Sequence, residues 1–301
     1  MFDFKIGLGE VAAVGQGLSR PECILAERNG TLWVSDSRGA FTRIDPNGRQ
    51  TLLGSMGGKP NGMAMGADGC IYMANIQHRR FYKVQRDGRH EVLLDTVDDR
   101  PVGAANFVLR GPDESLWLSV STTHDPHLEA LDRDIADGYV LHWDPFKGGK
   151  PRIVVRELLF TNELRVSPDR RWLCIAETRA GRVSRVPLGP DGYVGEPEVF
   201  GASPLGGAAL TDGVAYDCEG NLWVTDIVGN RIFVIDPQGS STTILHDPDG
   251  KVVDHPSSIT FAGEDLRTVL VGSLTKSTLM SFRSPVAGQP MQHWHDEPAR
   301  V

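Results

Sequence analysis

Apolar and polar residues alternate with a period of two in short runs along the chain, and no stretch sustains a helical period. Asp/Asn-Gly and Asp-Pro turns separate the runs, a pattern that predicts short β-strands throughout. The runs also repeat. A strand, a polar turn and a second strand carrying Trp or Tyr begin at Glu22, Asn61, Asn106, Asn162 and Asp212, with a weaker, longer copy at Ser257. From its first residue to the aromatic position the spacing is 11 residues in four copies, and in the fourth 12 to Cys174, which stands at that position. A third strand follows, often ending in Asp-Pro (Asp45-Pro46, Asp144-Pro145, Asp236-Pro237), and then a fourth, as at residues 51–53, 91–94 and 152–155. Six such units predict an all-β fold, a six-bladed β-propeller with four strands per blade. Residues 10–14 precede Arg20-Pro21-Glu22 as residues 51–53 precede Lys59-Pro60-Asn61, so they read as a fourth strand without its own first three. The sixth unit supplies those three. The ring is therefore expected to close through an N-terminal strand paired to the last blade, leaving no free edge, in a single domain covering residues 1–301.

Composition narrows the function. Apolar residues make up 40% of the 301 and charged residues 23%, an ordinary balance for a folded soluble chain. The net charge of −8 and the lack of a Lys/Arg block argue against nucleic acid or an anionic membrane as partner. No apolar run approaches the roughly 18 residues of a membrane-crossing helix. The opening Met1-Phe2-Asp3-Phe4-Lys5-Ile6-Gly7 lacks the basic-then-apolar order of a secretory leader. Cys23, Cys70, Cys174 and Cys218 have no metal or redox spacing and read as small buried hydrophobes in a reducing cytoplasm, the expected location. Phosphate-loop, HExxH and GxSxG motifs are absent. A small-molecule ligand remains, with the oligomeric state open.

In a propeller the first strand of each blade lines the central channel. The repeat register therefore places Glu22, Asn61, Asn106, Asn162, Asp212 and Ser257 around one mouth. Two carboxylates and three carboxamides suit a hard divalent cation, and equally a network of channel water. Loops between second and third strands open on the same face and carry Asp36, Glu177 and Asp226. The third blade's version, residues 121–137, is far longer and contains His124 and His127, so it is expected to act as a lid or specificity loop.

At these residues the chain resembles the gluconolactonase/regucalcin (senescence marker protein) family of six-bladed propellers. The likeness runs from Arg20-Pro21-Glu22 to Pro285-Val286-Ala287-Gly288 and His293-Trp294. The resemblance implies one divalent cation at the channel mouth, calcium first, with zinc, magnesium or manganese as alternatives. It implies Glu22, Asn162 and Asp212 as ligands, with Asn106 as a further ligand or substrate contact. Asp212-Gly213 follows the family pattern. Asn162-Glu163, Glu22-Cys23-Ile24 and Asn106-Phe107-Val108 depart from it, and Ala104 stands where sugar lactonases of the family tend to carry Arg. These departures point to a less polar or differently charged substrate. The expected reaction is metal-dependent opening of a lactone or related cyclic ester, with Asp212 as general base and Asn61, Asn106, Phe107, His124 and Glu177 around the substrate. Phosphoester or organophosphate hydrolysis on the same site, and a non-enzymatic metal-binding regulatory propeller, are the alternatives.

Overall fold

A computed structural model of the chain describes residues 4–296; Met1-Phe2-Asp3 and residues 297–301, both inside the expected 1–301 domain, lie outside it. Six four-stranded antiparallel sheets follow one another along the chain. Their first strands are Ile24–Ala26, Pro60–Met65, Ala105–Arg110, Thr161–Val166, Thr211–Tyr216 and Pro256–Ala262. Each packs against the first strands of its two neighbours, the sixth against the first, so the sheets form a closed ring of blades around a channel. The expected closure is present. Ala12–Val14 hydrogen-bonds to Leu279–Arg283 as the outer strand of blade six, with Ala12 opposite Ser281 and Val14 opposite Leu279. Residues 10 and 11 do not join it, because Leu8–Glu10 turns as a short 3-10 helix.

The aromatic repeat builds the layers between blades. Trp33, Tyr72, Trp117 and Trp223 are all buried, and Trp223 meets Phe261 of blade six edge to face with centroids 5.4 Å apart. In blade four the longer turn places Cys174 opposite Arg165, the register that Trp33 and Leu25 share in blade one, which accounts for the spacing of 12. Cys23, Cys70 and Cys174 are buried free thiols as expected; Cys218 departs from that reading and lies exposed in the turn after the first strand of blade five.

The C-terminal segment crosses the end of the channel opposite the mouth. Its Gln289 N–H donates to the Tyr216 carbonyl, and Trp294 Nε1 donates to the Ala26 carbonyl at 2.6 Å. Asp296 there pairs with Arg110, whose side chain is 4% exposed. Among the described residues no helix is long and apolar enough to cross a membrane.

Candidate metal centre at the channel mouth

The ladder between first and second strands breaks its register at the mouth in blades two to six, between Pro60 and Met63, Ala105 and Phe107, Thr161 and Leu164, Thr211 and Val214, and Pro256 and Ile259. Such a bulge re-aims side chains, so that consecutive residues need not point to opposite faces. Two stacked layers result. The upper is the expected ring of Glu22, Asn61, Asn106, Asn162, Asp212 and Ser257, each at most 4% exposed. The lower holds the residues that follow: Cys23, Gly62, Phe107, Glu163, Gly213 and Ser258.

The lower layer closes the mouth from beneath. Phe107 is wholly buried, its ring so close to Gly62 that a Cβ there would come within 2.2 Å, and the Arg165 guanidinium covers it at 4.9 Å. It is floor, with no surface facing the opening. Glu163 is also fully buried; its Oε2 accepts from the Val214 N–H at 3.0 Å and lies 3.5 Å from the Arg165 guanidinium. The expected ring held two carboxylates, and the structure adds this third. Strict alternation would turn Glu163 away from Asn162; the bulge turns both inward.

The ring is wired on one side and open on the other. Arg20 Nη2 donates to Asn61 Oδ1 at 2.8 Å, and Asn61 Nδ2 donates to the Asn106 carbonyl at 3.0 Å and to its Oδ1 at 3.2 Å. Asn106 Nδ2 donates to Ser121, and Asn162 Nδ2 to Thr178 at 3.0 Å. By contrast, Glu22 Oε2, Asn162 Oδ1, Asp212 Oδ1 and Glu163 Oε1 are buried without any hydrogen-bond partner. A buried unsatisfied oxygen costs about 1–3 kcal/mol, and more when charged, so four in one place call for an explanation. Their acidity shows the same tension. Burial, with Asp212 and Glu163 adding to it against Arg20, pushes Glu22 well above the usual carboxylate range. Burial and then Glu163 push Asp212 up to about 7, with Arg20 and Asn162 opposing. Burial raises Glu163 too, while Arg165, Ser258 and the Val214 N–H pull it back.

A hard cation fits this set. The three unpartnered oxygens of Glu22, Asn162 and Asp212 are the donor types calcium or magnesium takes. With Glu163 matched by Arg165, the remaining two carboxylate charges equal those of a divalent ion. Among the described residues no group of three His, Cys, Asp or Glu is arranged to hold a metal; the set at the mouth relies on an amide for its third protein donor.

The rim residues divide differently from the expectation. Glu177 is fully buried and spent on structure: it accepts from the Leu159 N–H at 2.9 Å, from Arg182 at 2.8 Å and from Ser184. Asp226 does the same in blade five, accepting from Leu210 N–H at 2.9 Å and from Arg231, as do Asp36 with Arg38 and Thr42, and Asn75 with the Lys59 N–H. Glu177, Asp226 and Asn75 thereby tie the end of the second strand to the entry of the first, and Asp36 does so through the Ser19 N–H at 3.4 Å, a repeated brace.

Residues 121–137 fold across blades two to four. Arg79 donates to the Thr123 carbonyl at 2.8 Å and pairs with Asp125, and Arg179 pairs with Asp134 at 3.0 Å. The helical turn Glu129–Asp132 buries Ala130 against Ile76, Ala104 and Phe160. His124 turns back into the loop, its Nε2 3.1 Å from Glu129. His127 is half-buried, and burial, then Lys59, and also Arg20 and Arg79 hold it below the usual imidazole range, against Asp125.

Residues 20–275 match the family model described as the SMP-30/gluconolactonase/LRE-like region. The chain is 28% identical over 186 residues to 6-deoxy-6-sulfogluconolactonase of Pseudomonas putida, which covers 61% of this chain and 60% of that protein. It is 27% identical over 175 residues to STRICTOSIDINE SYNTHASE-LIKE 7 of Arabidopsis thaliana, covering 56% of this chain and 44% of that one. The matches thus span roughly half of these curated relatives. Among solved structures, a Xanthomonas campestris gluconolactonase superposes with a TM-score of 0.74 at 19% identity, covering 91% of this chain and 89% of its own. Regucalcin of Agrobacterium tumefaciens, described as a calcium-binding protein, gives 0.71 at 19% identity over 93% and 96%. At these identities the superpositions speak for the fold.

Proposed function

Because the chain belongs to the SMP-30/gluconolactonase/LRE-like family, we propose that it is a divalent-cation-dependent hydrolase that opens a lactone or related cyclic ester. One observation carries the reading: Glu22, Asn162 and Asp212, from three different blades, each leave a buried oxygen without a partner at one mouth. A scaffold gains nothing from that arrangement. A cation held there would polarise the ester carbonyl and offset the acids' charge.

The chain's own groups supply the rest. Asp212, the ring carboxylate with an unpartnered oxygen at the mouth, takes the proton of the water that attacks the carbonyl carbon. The ring C–O bond then breaks, and the proton returns from Asp212 to the departing alkoxide, so that water and ester become a hydroxy acid. Asn61 and Asn106, locked to each other and to Arg20, present fixed amides beside the substrate. Phe107 excludes water from below. The covered side under residues 121–137 limits the approach to one direction.

The test is a panel of lactones and organophosphates, assayed after metal loading and after EDTA. Hydrolysis of at least one lactone, abolished by EDTA and restored by a divalent cation, is expected. Loaded protein that opens no lactone, or activity indifferent to EDTA, would overturn the reading.

A further inference from the structure

The residues two positions before each ring residue form a third layer above it: Arg20, Lys59, Ala104, Phe160, Leu210 and His255, in blade order. This layer is split. Blades six, one and two contribute three basic side chains; blades three, four and five contribute three apolar ones. The apolar half is roofed, since Ala104 and Phe160 pack under Ala130 of the long loop. The basic half stays partly exposed.

Its charges are unequally spoken for. His255 is held by Asp254 at 2.6 Å. Around the same rim Arg38, Arg79, Arg179, Arg182 and Arg231 each pair with a carboxylate. Arg20 and Lys59 pair with none among the described residues. Arg20 is tethered instead by two neutral acceptors, the Pro60 carbonyl at 3.1 Å and Asn61 Oδ1 at 2.8 Å. That tether fixes the guanidinium without neutralising it and leaves N–H donors over.

We propose that Arg20 and Lys59 form an anion subsite that receives a carboxylate, sulfonate or phosphate group at the end of the substrate remote from the ester. This rests on the hydrolase reading of the ring beneath and adds the substrate's charge, which that reading leaves open. Ring-deep, Glu163 is matched by Arg165 and a bound cation would be matched by Glu22 and Asp212, so the unmatched cationic side chains stand at the rim, where they would hold the charge of a substrate that enters ester first.

Two lactones of the same ring test this, one ending in CH2OH and one in carboxylate, with the wild type, Arg20→Gln, Arg20→Lys and Lys59→Met at low and high salt. The wild type should prefer the carboxylate by at least about tenfold in kcat/KM, mainly through KM and less at high salt. Arg20→Gln and Lys59→Met should each cut that preference about tenfold, and Arg20→Lys should keep most of it. Equal turnover of the two lactones by the wild type, or a preference that survives both variants, overturns the subsite while leaving the hydrolase intact. Should neither lactone open, the hydrolase reading has failed on its own. Calorimetric binding of a six-carbon aldonate against its matching hexitol then decides the subsite: tighter aldonate binding, lost in the Arg20→Gln/Lys59→Met double variant, supports it, and equal binding sinks it.

Discussion

Asp212 and Asp217 stand five residues apart at opposite ends of one strand of blade five, and both are buried. Asp217 is saturated. Its carboxylate accepts from the N–H groups of Glu219 at 3.0 Å and Asn221 at 2.9 Å, from the Asn221 amide, and from Trp223 Nε1 at 3.0 Å. Asp212 keeps a bare oxygen and shares its surroundings with two other acids. Burial is common to the two, so burial is not what marks a site. An aspartate surrounded by donors organises a turn and an aromatic layer. One surrounded by acids is stable only with a proton or a cation beside it.

The contrast can be broken most sharply at Asp212 itself. Asp212→Asn should lower turnover by about 10²–10⁴-fold even at saturating cation, the usual contribution of a general base. The same change should leave the melting temperature of EDTA-treated protein unchanged or raised, because it removes one of three crowded buried charges. Near wild-type turnover at saturating cation would make Asp212 a ligand only. Asp217→Ala should behave in the opposite way. It strands several buried donors and should cost about 3 kcal/mol in denaturant melts, while turnover per folded molecule stays within a small factor; a neutral effect on stability would erase the distinction.

pH offers a third, gentler probe. The folded state holds the Asp212 proton up to about pH 7, whereas an unfolded aspartate releases it near 3.8. The folded state therefore binds more protons in between, and cation-free protein should lose stability as pH rises from about 4 to 7, with raised Glu22 and Glu163 acting in the same direction. Saturating calcium should flatten that slope. Stability that instead climbs with pH across this window would show the acids to be better compensated than the unpartnered oxygens suggest. The smallest effect is expected at the rim: Arg79→Ala removes the tie to Thr123 and Asp125 but not the packing of Ala130, and should raise KM by about 2–5-fold with kcat little changed. A change in kcat alone would mean that the loop does more than cover.

What the sequence discloses follows the same division. The six ring positions and the closing strand are legible because both depend on register, and an 11-residue spacing counts register directly. Glu163 is not legible, since alternation assigns it to the outer face and only the bulge brings it in. Glu177 and Asp226 look in sequence like any acid at a loop on the right face; their arginine partners, Arg182 and Arg231, sit five residues on, a distance that carries no signal until the hairpin is folded. The choice between His124 and His127 depends on how one loop turns back on itself. Position is written in the pattern, whereas satisfaction is decided by neighbours.

The closing strand sets a condition on how the protein comes into being. Ala12 is made 269 residues before Ser281 and cannot find its partner until then. At about 5–20 residues per second, that is a wait of roughly 15–50 s. Throughout that interval the early blades exist as an open arc with a bare apolar blade face at each end and Ala12–Val14 without its ladder partner, so the growing chain must be protected from its own copies for longer than any single blade takes to fold.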